Sequence, residues 1–222
     1  MAAATYLING VNIKTTYGVY ISDSDGIIDR PKLKAPSSFN WSNYHGEVVD
    51  LNHKYYEPRK ITLSCFIKAA SKEDFIEKFM QFVKIFDNPG TQRLTISVHP
   101  TKPLIYEVYC QDTISIKKTW VESEMSGTFQ LKLIEPEPIK KVLKHSRTNV
   151  NTKTCNIIIQ TTKCVNIYWG DGSVSKDVYS ENSASRFSHD YSTNGDYYVV
   201  ITGCINEIYS LETNATVIWS EL

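Results

Sequence analysis

The chain has 222 residues, of which 41% are hydrophobic and 22% charged, enough to bury one large core or two modest ones. Lys plus Arg equals Asp plus Glu at 24 each, with no basic run, so no global field favours nucleic acid and no sequence-specific nucleic-acid binding is expected. No stretch approaches the ~18 apolar residues of a membrane span, and residues 1–10 lack the basic n-region and apolar run of a secretory signal, so neither membrane insertion nor a signal peptide is expected.

In chain order, Asp23-Ser24-Asp25-Gly26 with Asp29 nearby comes first. Its oxygen ligands alternate as in a calcium loop, but the later Glu of an EF-hand is missing, so a solvated hairpin turn is expected instead. Residues 60–68 alternate through Ile61, Leu63, Cys65 and Ile67, the period of a half-buried strand. The same holds for 94–98, and 104–116 and 126–134 are further β-rich runs. Between them Ser71 reads as an N-cap with Asp74 at N3, and Phe75, Phe79, Phe82 and Phe86 recur at helical spacing. The spacing predicts a helix over 72–86, stopped by Asn88-Pro89-Gly90, with its phenylalanine ridge buried against a sheet rather than holding a cofactor.

The charge balance then changes along the chain. Residues 1–138 carry 16 basic and 16 acidic side chains, 139–154 five basic and none acidic, and 155–222 three basic and eight acidic. Glu135-Pro136-Glu137-Pro138 disfavours helix, and the polar stretch after it reads as a linker. The last region has short β runs at 156–161, 165–169, 197–202 and 215–220, with turn dipeptides Asp171-Gly172 and Asn194-Gly195. The expected organisation is an α+β domain at 1–138, a basic linker at 139–154 and a small immunoglobulin-like β-sandwich at 155–222. The fold class is mainly β with one prominent helix. Opposite charge on linker and sandwich predicts that the two dock electrostatically.

Local signs of catalysis are missing. The five cysteines form no CxxC or Cys/His cluster, and read mostly as small buried hydrophobes. Histidines 45, 53, 99, 145 and 189 are scattered, with no nucleophile elbow and no phosphate-cradling glycine loop. No enzyme activity, cofactor or metal is expected. Asp171 with Asp190 is a possible calcium rim, though Asp171 reads better as a turn residue bonding its own backbone.

Two parts of the chain resemble known families. Tyr44-His45-Gly46-Glu47-Val48-Val49-Asp50-Leu51, then Tyr55-Tyr56-Glu57-Pro58-Arg59-Lys60-Ile61-Thr62-Leu63, the helix, and Arg93-Leu94-Thr95-Ile96 resemble the distal tail proteins of long-tailed phages over roughly residues 1–138. His45 departs from the acidic or small residue that many members carry before the glycine. Trp169-Gly170-Asp171-Gly172-Ser173, with His189-Asp190-Tyr191-Ser192-Thr193-Asn194-Gly195-Asp196-Tyr197 some twenty residues later, is similar to the polycystic-kidney-disease-type sandwich.

The first resemblance implies a virion structural protein of a phage or prophage tail tip, assembled in the bacterial cytoplasm. It implies a self-associated ring of six copies, with the tail tube on one side and tail hub or fibre proteins on the other. Cyclic self-association draws on edge strands. Asn40, Trp41, Tyr44, His45, Glu47 and Asp50, with the strand at 60–68, are the candidate ring interface. Tyr168, Tyr179, Tyr198 and Tyr209 are candidate surface contacts of the sandwich if they cluster outward, which would suit weak contact with host-surface glycans. The alternative function is a cell-surface or carbohydrate-binding adhesin module.

Overall fold

The computed structural model describes residues 4–52, 54–121 and 124–222. The elements are β1 (Thr5–Ile8), β2 (Val11–Asn12), α1 (Ile13–Tyr17), β3 (Val19–Asp25), β4 (Ser38–Phe39), β5 (Val48–Val49), β6 (Arg59–Ala69), α2 (Lys72–Lys84), β7 (Gln92–Ser97), β8 (Leu104–Cys110), β9 (Ile116–Val121), β10 (Glu124–Glu135), β11 (Lys141–Arg147), β12 (Thr154–Tyr168), β13 (Val174–Asp190), β14 (Gly195–Gly203), β15 (Ile208–Thr213) and β16 (Thr216–Trp219). The protein is mainly β with one main helix. It forms two compact units, one built from Thr5–Thr95 and Tyr106–Pro138, the other mainly from Ile96–Ile105 and Ile139–Leu222.

In the first unit the alternating run at 60–68 becomes β6, whose Ile61, Leu63, Cys65 and Ile67 are buried. It pairs with β10 from Arg59–Glu135 to Ala69–Met125. The sheet order is β2-β1-β7-β8-β10-β6-β3, with β9 also on β10. α2 starts where Ser71 Oγ accepts the Asp74 N–H at 3.1 Å, satisfying a donor the helix itself leaves open. The return bond of a capping box is shifted by one residue, since the Asp74 carboxylate accepts from Ala70 N–H and Lys78. Regular helix ends at Lys84, and Ile85–Asp87 tightens into a 3-10 turn. Phe75 and Phe82 are fully buried; Phe79 and Phe82 meet Phe129 of β10, and Phe75 meets Trp120 of β9 edge-on. The ridge is therefore core. Gly127 of β10 makes room for it: a Cβ there would stand 2.8 Å from Phe75 Cζ and 2.8 Å from Ile116 Cδ1. At the other side of the sheet, β3 runs through Asp25, so Asp23 to Asp25 lie on the end of a strand rather than in a turn.

The second unit corrects the expected linker. Lys141–Arg147 is β11, bonded to β14 on one side and β16 on the other, because Val142 and Leu143 are fully buried within the polar run. The sandwich thus begins near Ile139 rather than at residue 155, and the segment Ile96–Ile105 belongs to it as well. Its strand order is β13-β12-β14-β11-β16, with β15 also on β12. The expected docking of linker on sandwich loses its basis, since the basic side chains are part of the sandwich: Lys144 pairs with Asp196 at 2.7 Å and Lys153 with Asp190 at 2.9 Å.

Trp169 and Tyr191 sit in the core with Ile157, Ile167, Val199 and Ile201. Tyr191 Oη donates to Trp169 O at 2.7 Å and its ring stacks on Tyr197. The Trp169–Ser173 turn closes with Gly170 and Gly172 at positive φ, which glycine adopts at little cost. Asp171 Oδ1 accepts the Ser173 N–H, as expected of a turn residue, and Oδ2 accepts from His189 Nε2 at 2.7 Å. The His189 ring lies on Trp169. Asp190 is taken by Lys153 and Thr154, so the two carboxylates are engaged by separate partners. No group of His, Cys, Asp and Glu suited to a metal occurs among the described residues.

Two outcomes follow from these packings. Gly127→Ala is expected to destabilise the first unit by about 1–3 kcal/mol through overpacking, seen as a lowered denaturant midpoint; an unchanged midpoint would contradict the close approach. Partial burial works to raise the Asp171 carboxyl, but hydrogen bonds from His189 and Ser173 outweigh it and leave the group below its ordinary value. Hydrogen bonds from Lys144 and Ser146 lower Asp196 in the same direction. A carboxyl lowered in the folded state contributes stability that is present above its unfolded value of 3.8 and lost as pH falls through the folded value. The melting temperature of the second unit should therefore fall as pH drops below that value, and less steeply in Asp171→Asn/Asp196→Asn than in the parent; equal slopes would contradict the assignment.

Candidate self-assembly surface

Between β3 and β6, which are antiparallel neighbours, the chain leaves the sheet as a two-stranded ribbon and returns. Its root is a ladder in which Glu57 N bonds Lys32 O and Lys34 N bonds Tyr55 O, both at 2.8 Å, with Leu33 and Tyr56 paired between them. Lys32 also pairs with Glu57, and Arg30 lies against Tyr56. The ladder breaks at Ala35-Pro36, where proline has no N–H to give, and resumes two residues out of register at Asp50 N to Ser37 O and at β4–β5. A turn from Trp41 to Tyr44 closes the tip.

The tip is aromatic and wet. Phe39 stacks on Trp41, Trp41 meets Tyr44 edge-on, and the three are 57%, 52% and 55% exposed. Val48, Val49, Leu51 and Tyr55 are exposed beside them. So much contiguous apolar surface is a mark of an interaction site. Of the candidate interface residues, Asn40, Trp41, Tyr44, His45 and Glu47 all lie in or beside this tip, and Asp50 caps Asn52 N on the return strand. His53, one of the scattered histidines, lies outside the described residues.

The ribbon is rooted by a buried ion pair. Arg59, 6% exposed, sits on Glu135, 1% exposed, with Nε to Oε2 at 3.0 Å. The remaining guanidinium donors go to Ile27 O, Asp29 O and Pro138 O, and the guanidinium lies over the Tyr106 ring. Tyr106 Oη in turn donates to Ile27 O at 2.7 Å, and burial pushes its phenol well above the ordinary value. The Glu57-Pro58-Arg59 sequence thus ends in the residue that ties the ribbon's outgoing strand to its returning one. Sequence alone gave no sign that Arg59 was buried; Glu135, 76 positions away, supplies the reason.

The expected contribution of 60–68 as an assembling edge does not hold, because β6 is bonded to β10 on one side and β3 on the other. Among the described residues of this sheet β2, β3 and β9 each have one partner strand; β2 is two residues long, which leaves β3 and β9 as the longer open edges. β3 ends in Asp23 and Asp25, whereas β9 carries Lys117 and Lys118, with Lys118 and Lys72 over Trp120. The four tyrosines named for the sandwich split. Tyr168 and Tyr198 pack against Ile105, Val142 and Val200; Tyr179 and Tyr209 are 50% and 71% exposed on β13 and β15.

No protein-family model matches the chain, and no curated protein matches it. Among solved structures it is similar to the crystal structure of the SPP1 Dit (gp 19.1) protein, described as a paradigm of the hub adsorption apparatus in Gram-positive infecting phages. The TM-score is 0.48 at 9% identity, over 94% of this chain and 100% of that one. No helix among the described residues is long and apolar enough to cross a membrane.

Removing Arg59 would leave Glu135 without that partner, a change that in buried pairs costs roughly 3–5 kcal/mol. Arg59→Met should lower the melting temperature and speed hydrogen exchange at 27–34 and 55–58, with Arg59→Met/Glu135→Leu recovering much of the loss. A single variant that melts and exchanges like the parent would contradict the anchoring role.

Proposed function

We propose that the chain is a structural subunit of a phage or prophage tail tip that closes head to tail into a ring, six copies on the pattern of distal tail proteins. The ring joins the tail tube to the hub and host-recognition parts. The observation that carries this reading is the aromatic tip at Phe39, Trp41 and Tyr44, solvent-exposed on a ribbon whose root is locked by Arg59. A rooted arm with an apolar end suits a neighbouring copy. The sheet edges support the same reading: a head-to-tail contact of β3 on β9 sets Asp23 and Asp25 near Lys117 and Lys118, and such a contact closes if its rotation divides the circle. The equal numbers of basic and acidic side chains over residues 1–138 suit a lumen that lets DNA pass without gripping phosphate.

In this reading the C-terminal unit is an appended polycystic-kidney-disease-type sandwich. Tyr179 and Tyr209, its outward rings, are the residues that would stack on a sugar in a weak host-surface contact. The role is structural rather than enzymatic.

Light scattering across a concentration series should give a mass of six copies for the parent chain. Trp41→Ala/Tyr44→Ala should shift that mass toward the monomer with little change in melting temperature, since both side chains are already solvent-exposed. A parent that stays monomeric at every concentration, or a variant that assembles as the parent does, would overturn the arm as the ring contact.

A further inference from the structure

The five cysteines are not equivalent. Cys65 and Cys155 are buried, and burial pushes their thiols up to about 12 and about 11, which withholds the reactive thiolate. Cys110 is half-buried, raised by burial, and donates to Asp112 O. The other two share one place in the sandwich. β12 and β14 are antiparallel with Val165 opposite Gly203, and one step further Cys204 N bonds Cys164 O at 3.3 Å. This sets Cys164 opposite Cys204.

The alternation of the pleat decides which way they point. Val165 is fully buried and Cys164 exposed; Ile205 is buried and Cys204 partly exposed, so both thiols emerge on the outer face. Directly opposed residues in a hydrogen-bonded antiparallel pair have Cα atoms about 5.5 Å apart, within the range a disulfide spans. Cys204 also stands just past the end of β14, at φ −82° and ψ 57°, with its N–H still bonded to Cys164 O. The junction is already held, since Glu207 bonds both Thr162 and Lys163.

We propose that Cys164 and Cys204 form a reversible cross-strand disulfide when the protein meets a low-molecular-weight disulfide. The exposed Cys164 thiolate attacks one sulfur of the reagent, releasing one small thiolate and forming a mixed disulfide. Cys204, deprotonated to solvent, attacks the Cys164 sulfur and displaces the second small thiolate. Two protein thiols are oxidised, one reagent disulfide is reduced to two thiols, and no other co-reactant is needed. The bond ties β12 to the connection between β14 and β15, closing a long loop in the unfolded chain, so the oxidised sandwich is the more stable form.

The test uses the full chain incubated with oxidised glutathione, followed by thiol counting, non-reducing peptide mapping and thermal melting. The expected result is loss of two thiols, one linked peptide pair containing Cys164 and Cys204, a raised melting temperature and full reversal by dithiothreitol. Cys204→Ser should instead stop at a glutathione adduct on Cys164, and Cys110→Ser should form the link as the parent does. Glutathione adducts on both cysteines without a link, linkage between two chains, or retention of all thiols would each overturn the proposal.

Discussion

The Arg59–Glu135 pair is the constraint on which the first unit depends. A buried guanidinium is costly to desolvate, and it is tolerated here because its donors are used at once, on a carboxylate, on three backbone oxygens and across an aromatic face. These partners come from the residues just past β3, from the end of β10 and the residues after it, and from Tyr106 within β8. One side chain therefore ties the ends of β3 and β10 to the start of β6, where the ribbon rejoins the sheet. The ribbon itself has little apolar burial to hold it, so its direction is set at its root and its aromatic tip stays in water.

The sandwich solves a different problem, that of a small core. Trp169 and Tyr191 fill it, and the Tyr191 hydroxyl satisfies the carbonyl of Trp169. His189 covers the indole while holding Asp171, so the glycine turn is tied to the hydrophobic centre. Charge works locally here. Lys144 with Asp196 and Lys153 with Asp190 bridge neighbouring segments of the same unit, which is why a segment count of charges was a poor guide to how segments dock.

Much of the fold was legible where periodicity was strong. The strand at 60–68, the capped helix after Ser71 and the two halves of the tryptophan-turn pattern all declared themselves through spacing. The short α1, the strands β1 and β2 and the ribbon did not, being too short or too exposed to show a pattern. β11 was hidden because its buried Val142 and Leu143 stand among lysines, and a polar stretch after two prolines reads as a linker. The candidate surface was half legible. Aromatics at Trp41 and Tyr44 stood out as residues, whereas the pairing of β6 on both sides, the exposed edges β3 and β9, and the burial of Arg59 all depend on partners far away in sequence.

In the proposed assembly, copies of this chain close on themselves through the rooted arm and the open edges of β3 and β9. Electron microscopy of the purified chain at high concentration tests it most directly. Class averages of a closed ring with a central opening and six repeated densities are the expected result, whereas isolated single copies or open, unclosed strings of subunits would contradict it.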